Sequence, residues 1–242
     1  GAAADPDTRV RNVEVEVVEG RSRSLLYGIG YLYAPGANEN QHDPYLLAGY
    51  SHNNLFGAMR SLGAEAQLGI SGRGRLQLTY RQPFLFGEDI TLTSYLFASR
   101  EPIQEIDVDR LGFVTEASKF FGRYLRAGLR YEYQFIEPTN PEDLTDIERE
   151  LRRFDRPIEQ STIGPFAFYD RRDDVIDPHD GYYLTASGKY AFPLLSATAR
   201  YTKFSGQAAF FQPVGRSVFA VSARGGGIFP YGLATVVPIA VR

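Results

Sequence analysis

The chain has 242 residues, a formal net charge of −3, 43% hydrophobic and 14% aromatic residues, and neither Cys nor Trp. The absence of Cys excludes disulfides, cysteine nucleophiles and thiolate metal sites, and the small net charge gives no support to nucleic-acid binding, which usually needs a basic excess. No apolar run approaches the roughly 18–20 residues of a membrane-spanning helix.

The first segment with a clear pattern is 10–19, where apolar residues alternate with polar, mostly acidic ones. A period of two predicts an extended strand, and an acidic polar face is typical of a half-buried strand in a soluble domain. Gly20 ends the pattern, and the sequence then becomes rich in Tyr, Leu and Gly. We therefore expect one domain to end within residues 1–20 and a second to occupy 21–242. Because no leader-like segment opens the chain, we expect the sequence to be a piece of a longer protein.

Beyond residue 20 the same alternation recurs in eleven segments. The clearest is 124–135, where Leu, Ala, Tyr and Phe take one face and Arg, Gly, Glu and Gln take the other. A change of phase near Lys203 predicts a bulge. Many such strands without long helices between them predict an all-β fold, an antiparallel transmembrane β-barrel with hydrocarbon outside and water inside. The predicted strands are 23–33, 44–54, 60–71, 74–84, 89–100, 108–120, 124–137, 160–172, 182–192, 197–212 and 217–229.

The connections between these strands are of two kinds. One set is tight and rich in Gly and Phe, and the other is more polar and often longer. Membrane barrels have short periplasmic turns and longer outer loops. The longest connection carries Asn140 as a cap, Pro141 in the first turn and an apolar stripe, which predicts a helix over 141–154 that lies over the barrel mouth. The tight set is 54–57, 83–87, 120–123 and 212–215, and the polar set is 34–43, 101–107 and 138–159.

The densest charged cluster, residues 170–181, invites comparison with a calcium loop. Its Asp spacing lacks the alternating ligand pattern, and Pro178 interrupts it. His42 and His52 are isolated, so zinc has no ligand set, and His179 has no serine partner in a nucleophile context. We therefore predict no enzyme, no metal site and no cofactor, and interpret the cluster as a structural turn with self-paired Arg and Asp.

Four pieces of sequence, taken in order, resemble one family. They are Val15–Gly20 running into the first Gly-rich strand, an Asn-Asn-Leu-Phe-Gly turn, Gln-Pro-Phe-Leu-Phe-Gly at 82–87, and an Asp-x-Arg-Asp turn that ends in Gly-Tyr-Tyr. Together they resemble the BamA/TamA family of outer-membrane assembly factors, the bacterial surface antigens. The structural turn motifs that carry the resemblance are Asn54, Leu55, Phe56 and Gly57, and Asp170, Arg172, Asp173, Pro178 and Gly181.

The resemblance implies periplasmic POTRA domains followed by a sixteen-stranded barrel in the bacterial outer membrane. Residues 10–19 would be the last strand of the final POTRA domain, in the periplasm. The chain would reach the eleventh barrel strand, and 236–242 would rise toward the sixth outer loop. That loop's Val-Arg-Gly-Phe/Tyr motif and the last five strands would follow in the longer protein.

In function, the resemblance implies insertion of other barrels into the outer membrane without a nucleotide or a catalytic residue. A client would add its edge strand to the first barrel strand by β-augmentation. The expected partners are unfolded outer-membrane proteins, outer-membrane lipid, accessory lipoproteins and periplasmic chaperones. Because Gly weakens a strand by roughly 0.5–1 kcal/mol relative to Ala, the glycines there either loosen the seam or accommodate curvature. The residues expected at this client-binding seam are Leu26, Gly28, Gly30 and Tyr31.

Three other functions stay open at this stage. A protein-translocation pore, of TamA-like or two-partner type, shares the barrel. A passive porin also shares it, although the soluble strand at 10–19 joined directly to the first barrel strand disfavours a porin. A soluble β-sandwich binding module would instead bury the apolar face of the sheet against a second layer of protein.

Overall fold

A computed structural model of the chain describes residues 20–34, 41–103, 106–138, 157–194 and 200–232. The strand predicted at 10–19, the helix predicted at 141–154 and the segment 236–242 lie outside the described residues. In the part of the chain that the structure describes, no helix has both the length and the apolar character needed to cross a bilayer.

Eleven strands form one antiparallel sheet in which each strand pairs with its neighbours in sequence. The sheet order is the chain order, so among the described residues β1 and β11 are the two edges. All eleven predicted strands are confirmed. They are β1 (Arg23–Ala34), β2 (Gln41–Leu55), β3 (Arg60–Gly69), β4 (Gly74–Gln82), β5 (Thr91–Ile103), β6 (Ile106–Phe121), β7 (Leu125–Pro138), β8 (Ile158–Asp170), β9 (Gly181–Ala191), β10 (Tyr201–Val214) and β11 (Ser217–Pro230).

The strands are long enough to cross a membrane. The shortest, β4, has 9 residues and the longest, β6, has 16, whereas a tilted spanning strand needs about 9–11. A 3-10 turn, Leu85–Gly87, joins β4 to β5. The connections β2/β3, β4/β5, β6/β7, β8/β9 and β10/β11 lie at one end of the sheet, which we call the turn end.

The two faces of the sheet differ in chemistry as the alternation predicted. The cross-strand register places Leu78, Leu96 and Leu129 on one side, the apolar face. Glu116 and Arg130 lie on the other side, the charged face. Large side chains of the apolar face are exposed, and none of the described residues forms a second layer over them. They include Leu25, Tyr27, Ile29, Leu46, Leu68, Leu76, Leu78, Leu96, Leu111, Leu129, Phe204 and Phe229.

The predicted polar loop at 101–107 is wrong. Strand β5 continues to Ile103 and β6 starts at Ile106, so the connection is only 104–105. The physical reason is that the polar side chains pair across the hairpin: Arg100 Nε donates to Asp109 Oδ1 at 2.6 Å. The polar composition of this segment therefore shows that the two strands extend beyond the apolar layer. It does not show where the strands stop.

The predicted bulge near Lys203 is also wrong. Lys203 pairs in continuous register with Lys189 on β9 and Ile228 on β11. Lys203 lies on the charged face with Ser205 and Gln207, so the phase never changes. The register instead shifts on β2, between His52 and Leu55, next to the β2/β3 turn.

Candidate functional site

The backbone of β1 presents an open row of hydrogen-bonding groups. The N–H of Asn53 donates to the carbonyl oxygen of Ser22 at 2.6 Å, in the same register as the β1–β2 ladder. Residues of an antiparallel pair bond alternately to the partner strand and away from it. Even-numbered residues of β1 therefore bond to β2, and the N–H and C=O groups of the odd-numbered residues, from Arg23 to Tyr33, face the open edge.

The predicted seam residues divide between these two sets. Leu26, Gly28 and Gly30 direct their backbone groups to β2, whereas Tyr31 directs them to the open edge. The two glycines differ. A Cβ on Gly28 would meet no other atom, but a Cβ on Gly30 would collide with the ring of Tyr45 on β2. Gly30 therefore serves a cross-strand aromatic contact, and Gly28 leaves a gap on the charged face.

Side chains at the open edge are apolar and uncovered. Leu25, Tyr27 and Ile29 are 73%, 82% and 86% exposed, and all three belong to the apolar face. A strand that paired with β1 would therefore meet both the backbone groups that are not bonded to β2 and an apolar surface. The sequence pattern found these residues but could not show which of them bond away from β2, since that depends on the pairing register.

The charged face carries an ion-paired network across β6, β7 and β9. Glu116 accepts hydrogen bonds from Nη2 of Arg126 and from Nη2 of Arg130, each at 2.6 Å. Glu132 accepts from Nζ of Lys189 at 2.7 Å. The network therefore pairs three positive side chains with two negative ones, and most of its charge is balanced locally.

The Asn-Leu-Phe-Gly turn between β2 and β3 stores backbone strain. Asn54 Oδ1 accepts from the N–H of Met59 at 3.0 Å. Phe56 and Met59 adopt positive φ angles of 57° and 55°, a left-handed conformation that costs a residue with a side chain roughly 1–2 kcal/mol. Phe56 is 87% exposed at the tip of the turn. Phe84 and Phe86 in the β4/β5 turn repeat this arrangement, with φ angles of 55° and 56°.

The Asp-x-Arg-Asp turn between β8 and β9 is held by its own side chains. Asp170 accepts from Nε and Nη2 of Arg172 at 2.9 and 2.6 Å, and the guanidinium of Arg172 lies 4.7 Å from the ring centre of Tyr183. Asp173 Oδ1 accepts from the N–H groups of His179 and Asp180 at 2.9 and 3.0 Å. Each of these carboxylates is therefore used to fold the turn.

The electrostatics of the turn agree with this role. Hydrogen bonds from the backbone N–H groups of Asp180 and His179 lower the pKa of Asp173. Those from Asp177 and Ile176 lower the pKa of Asp174. Both carboxylates are therefore ionised at neutral pH and already engaged by the backbone. Among the residues that the structure describes, no cluster of three or more His, Asp or Glu side chains could hold a metal ion.

We expect Gly181→Ala to destabilise the β8/β9 hairpin by roughly 1–3 kcal/mol. Gly181 has a φ angle of 107°, and a Cβ there would collide with the carbonyl oxygen of Arg171. Gly215→Ala in the β10/β11 turn is the matched control, because Gly215 has a φ angle of 65° but no atom within 4 Å of a new Cβ. Urea unfolding of the full-length protein in detergent measures both. Equal losses for the two variants would refute a steric role for Gly181.

The sequence pattern did not predict one cluster of tyrosine and arginine side chains. At the turn end of β7–β9, the rings of Tyr169 and Tyr182 stack with centres 5.4 Å apart, and Tyr124 lies 6.2 Å from Tyr169. The guanidinium carbons of Arg123 and Arg171 lie 5.6 and 6.0 Å from the ring centre of Tyr124. The only indication of this group in the sequence is that an Arg lies within two positions of a Tyr just before β7 and again at the end of β8.

Comparison with known proteins gives a family and a fold. A model of the Omp85 superfamily domain matches residues 54–242. The crystal structure of BamA from Haemophilus ducreyi lacking POTRA domains 1–3 superposes with a TM-score of 0.69 at 16% sequence identity, over 87% of this chain and 42% of that one. No curated protein sequence matches the chain significantly.

The match with BamA relates the eleven-stranded sheet to part of a larger barrel. This chain spans less than half the length of the BamA chain it resembles, and its eleven strands correspond to part of a BamA-like barrel. The predicted fold class, an incomplete antiparallel transmembrane barrel, is therefore confirmed.

Proposed function

The chain belongs to the Omp85 superfamily of outer-membrane β-barrel proteins, and from that premise we propose that it forms the first part of a barrel that inserts other β-barrel proteins into the bacterial outer membrane. A client edge strand adds to β1. The charged face lines the water-filled interior, and the apolar face contacts lipid. The preceding segment lies in the periplasm, as the POTRA assignment of residues 1–20 predicts, where accessory lipoproteins and chaperones deliver unfolded clients.

The observation that supports this proposal is the pairing phase of β1, whose odd-numbered residues direct their N–H and C=O groups away from β2. In the longer protein the last barrel strand would pair weakly with these groups. A client strand that displaces it satisfies the backbone groups of Leu25, Tyr27, Ile29 and Tyr31, each of which would cost several kcal/mol if left unpaired in hydrocarbon. Client addition therefore exchanges seam bonds for ladder bonds with the client. Because Gly28 has no side chain and leaves a gap on the charged face, β1 packs less tightly against β2 at this position.

Cross-linking of a stalled client tests the proposal, since the chain has no native Cys. In the full-length protein we expect a single Cys at Ile29 to form a disulfide with a Cys in the client's last strand. A Cys at Ala98, also on the apolar face but central in the sheet, is the control and should give at least tenfold less product. A client strand paired with β1 lies beside Ile29, whereas Ala98 lies on β5 in the middle of the sheet.

A translocation pore makes the opposite prediction. Its substrate would travel along the charged face, so a Cys at Glu65 would cross-link more strongly than one at Ile29. If cross-linking occurred only at Glu65, the result would support translocation and contradict insertion as the function of this chain. A passive porin would give no protein cross-link at either position.

A further inference from the structure

The stacked tyrosines and Arg171 lie on the apolar face at the turn end, and Arg123 lies beside Tyr124 in the adjoining β6/β7 turn. Tyr169 and Tyr182 belong to this face by register, since Tyr169 pairs with Leu125 and Tyr182 with Phe210. Arg171 continues β8 opposite Tyr182, as its N–H donates to the carbonyl oxygen of Tyr182 at 2.9 Å. Arg123, Tyr124, Tyr169, Arg171 and Tyr182 are called the tyrosine–arginine cluster below.

Both guanidinium groups of the cluster lack a carboxylate partner among the described residues. The nearby acids are engaged elsewhere: Asp170 binds Arg172, and Asp173 accepts from backbone N–H groups. Arg171 instead lies against the ring of Tyr124, with its guanidinium carbon 6.0 Å from the ring centre. Two cations fixed against aromatic rings and left without a counter-ion offer a binding site for an anion, and planar guanidinium groups suit phosphate oxygens.

A row of small residues begins beside the cluster. Ala127 pairs with Ala167, Ala167 with Ala186, Ala186 with Gly206, and Gly206 with Gly225. This small-residue row crosses five strands of the apolar face at one level, a distance of roughly 19 Å at 4.8 Å per strand. The residues of the row form part of the lining of one pocket of the sheet.

Larger side chains border part of the row. Tyr169 and Leu184 stand on the side of the cluster, and Pro165 and Phe204 stand on the other. The remaining neighbours on β9 to β11 are small: Gly188, Ala208, Ala223 and Gly227. The row is therefore a shallow groove that is walled on β8 and opens toward β11. Because it lies on the face that contacts hydrocarbon, its occupant is apolar, and because it starts beside two unpaired cations, that occupant carries a negative group at one end.

We propose that the tyrosine–arginine cluster and the small-residue row together bind one phospholipid, with its phosphate on Arg123 and Arg171 and an acyl chain along the row. The tyrosine rings occupy the level between the headgroup and the chains, where amphipathic aromatic side chains are favoured. This site lies on β6–β11, away from the open edge of β1. It therefore does not depend on the proposed insertion of clients.

Native mass spectrometry of the full-length protein in detergent, with phosphatidylglycerol added, tests the site. We expect Arg123→Gln with Arg171→Gln to reduce the lipid-bound fraction at least tenfold, because each charge-assisted hydrogen bond is worth about one order of magnitude in affinity. Arg216→Gln, in the β10/β11 turn at the same end of the sheet, is the control and should leave binding unchanged. Circular dichroism confirms that each variant is folded.

A second pair of variants tests the groove. Ala186→Phe fills the row and should also release the lipid, whereas Ala98→Phe on β5 should not. Inorganic phosphate at millimolar concentration should fail to displace the lipid. The proposal is overturned if the double Arg variant binds as the parent does. It is equally overturned if phosphate alone competes and Ala186→Phe has no effect, since the site would then hold a free anion only.

Discussion

Leu78→Arg is expected to destabilise the folded barrel by about 2–4 kcal/mol, the cost of an arginine on the lipid face near the bilayer midplane. Leu78 is central in β4 and exposed on the apolar face. It pairs with Ala64 on β3 and Leu96 on β5, so no carboxylate lies opposite. The guanidinium would have to leave its hydration shell without gaining a partner.

The adjacent residue provides a control at the same depth. Gln77→Arg places the same side chain on the charged face, directly opposite Glu65 on β3. We expect that variant to change stability by less than about 1 kcal/mol, because a cross-strand pair of opposite charges offsets the lost amide contacts. Unfolding by urea in lipid vesicles measures both variants of the full-length protein. Equal losses on the two faces would show that hydrocarbon does not contact Leu78, and the assignment of the apolar face would fail.

The contrast between the Leu78 and Gln77 variants depends on the different chemistry of the two faces of the sheet, which the sequence predicted best. Strict alternation is a local property, so eleven strands and the chemistry of both faces could be read from segments such as 124–135. The failures share a cause. At 101–107 and near Lys203 the local pattern predicted a loop and a bulge, but pairing with neighbouring strands keeps the β5/β6 ends and Lys203 in regular strands. Pairing across strands decides where a strand ends, and no single segment contains that information.

The site was predictable to a smaller degree for the same reason. Turn motifs are local, so the sequence predicted turns at Asn54, Asp170 and Gly181, and these three residues lie at the strand ends that border the β2/β3 and β8/β9 turns. The open backbone groups of β1 depend on the phase of its ladder with β2. The tyrosine–arginine cluster depends on two turns that meet only when β7 and β8 pair. Features that require register appear only in the assembled sheet.

Glu116→Gln is expected to cost about 1–2 kcal/mol of folding free energy, since hydrogen bonds to charged groups contribute roughly 1.5–3 kcal/mol and partial exposure reduces that value. The Glu116 side chain is only 12% exposed, and its partners Arg126 and Arg130 are 37% and 41% exposed. An amide oxygen can still accept, but it carries no charge to separate the two guanidinium groups. Without that charge the two cations repel each other, because both guanidinium groups converge on Glu116 from positions four residues apart on β7.

Two further variants make this expectation specific to the network. Asp109→Asn breaks the Arg100–Asp109 pair, in which the side chains are 45% and 42% exposed, and it should cost less than about 1 kcal/mol. Adding Arg130→Gln to Glu116→Gln removes one of the two repelling cations and should recover part of the loss. If both single variants lose the same stability and the second substitution recovers nothing, the charged face gains no more from its ion pairs than an exposed hairpin does. A wall of that kind would be stabilised by its backbone ladder, and its charges would serve only to keep water in the barrel.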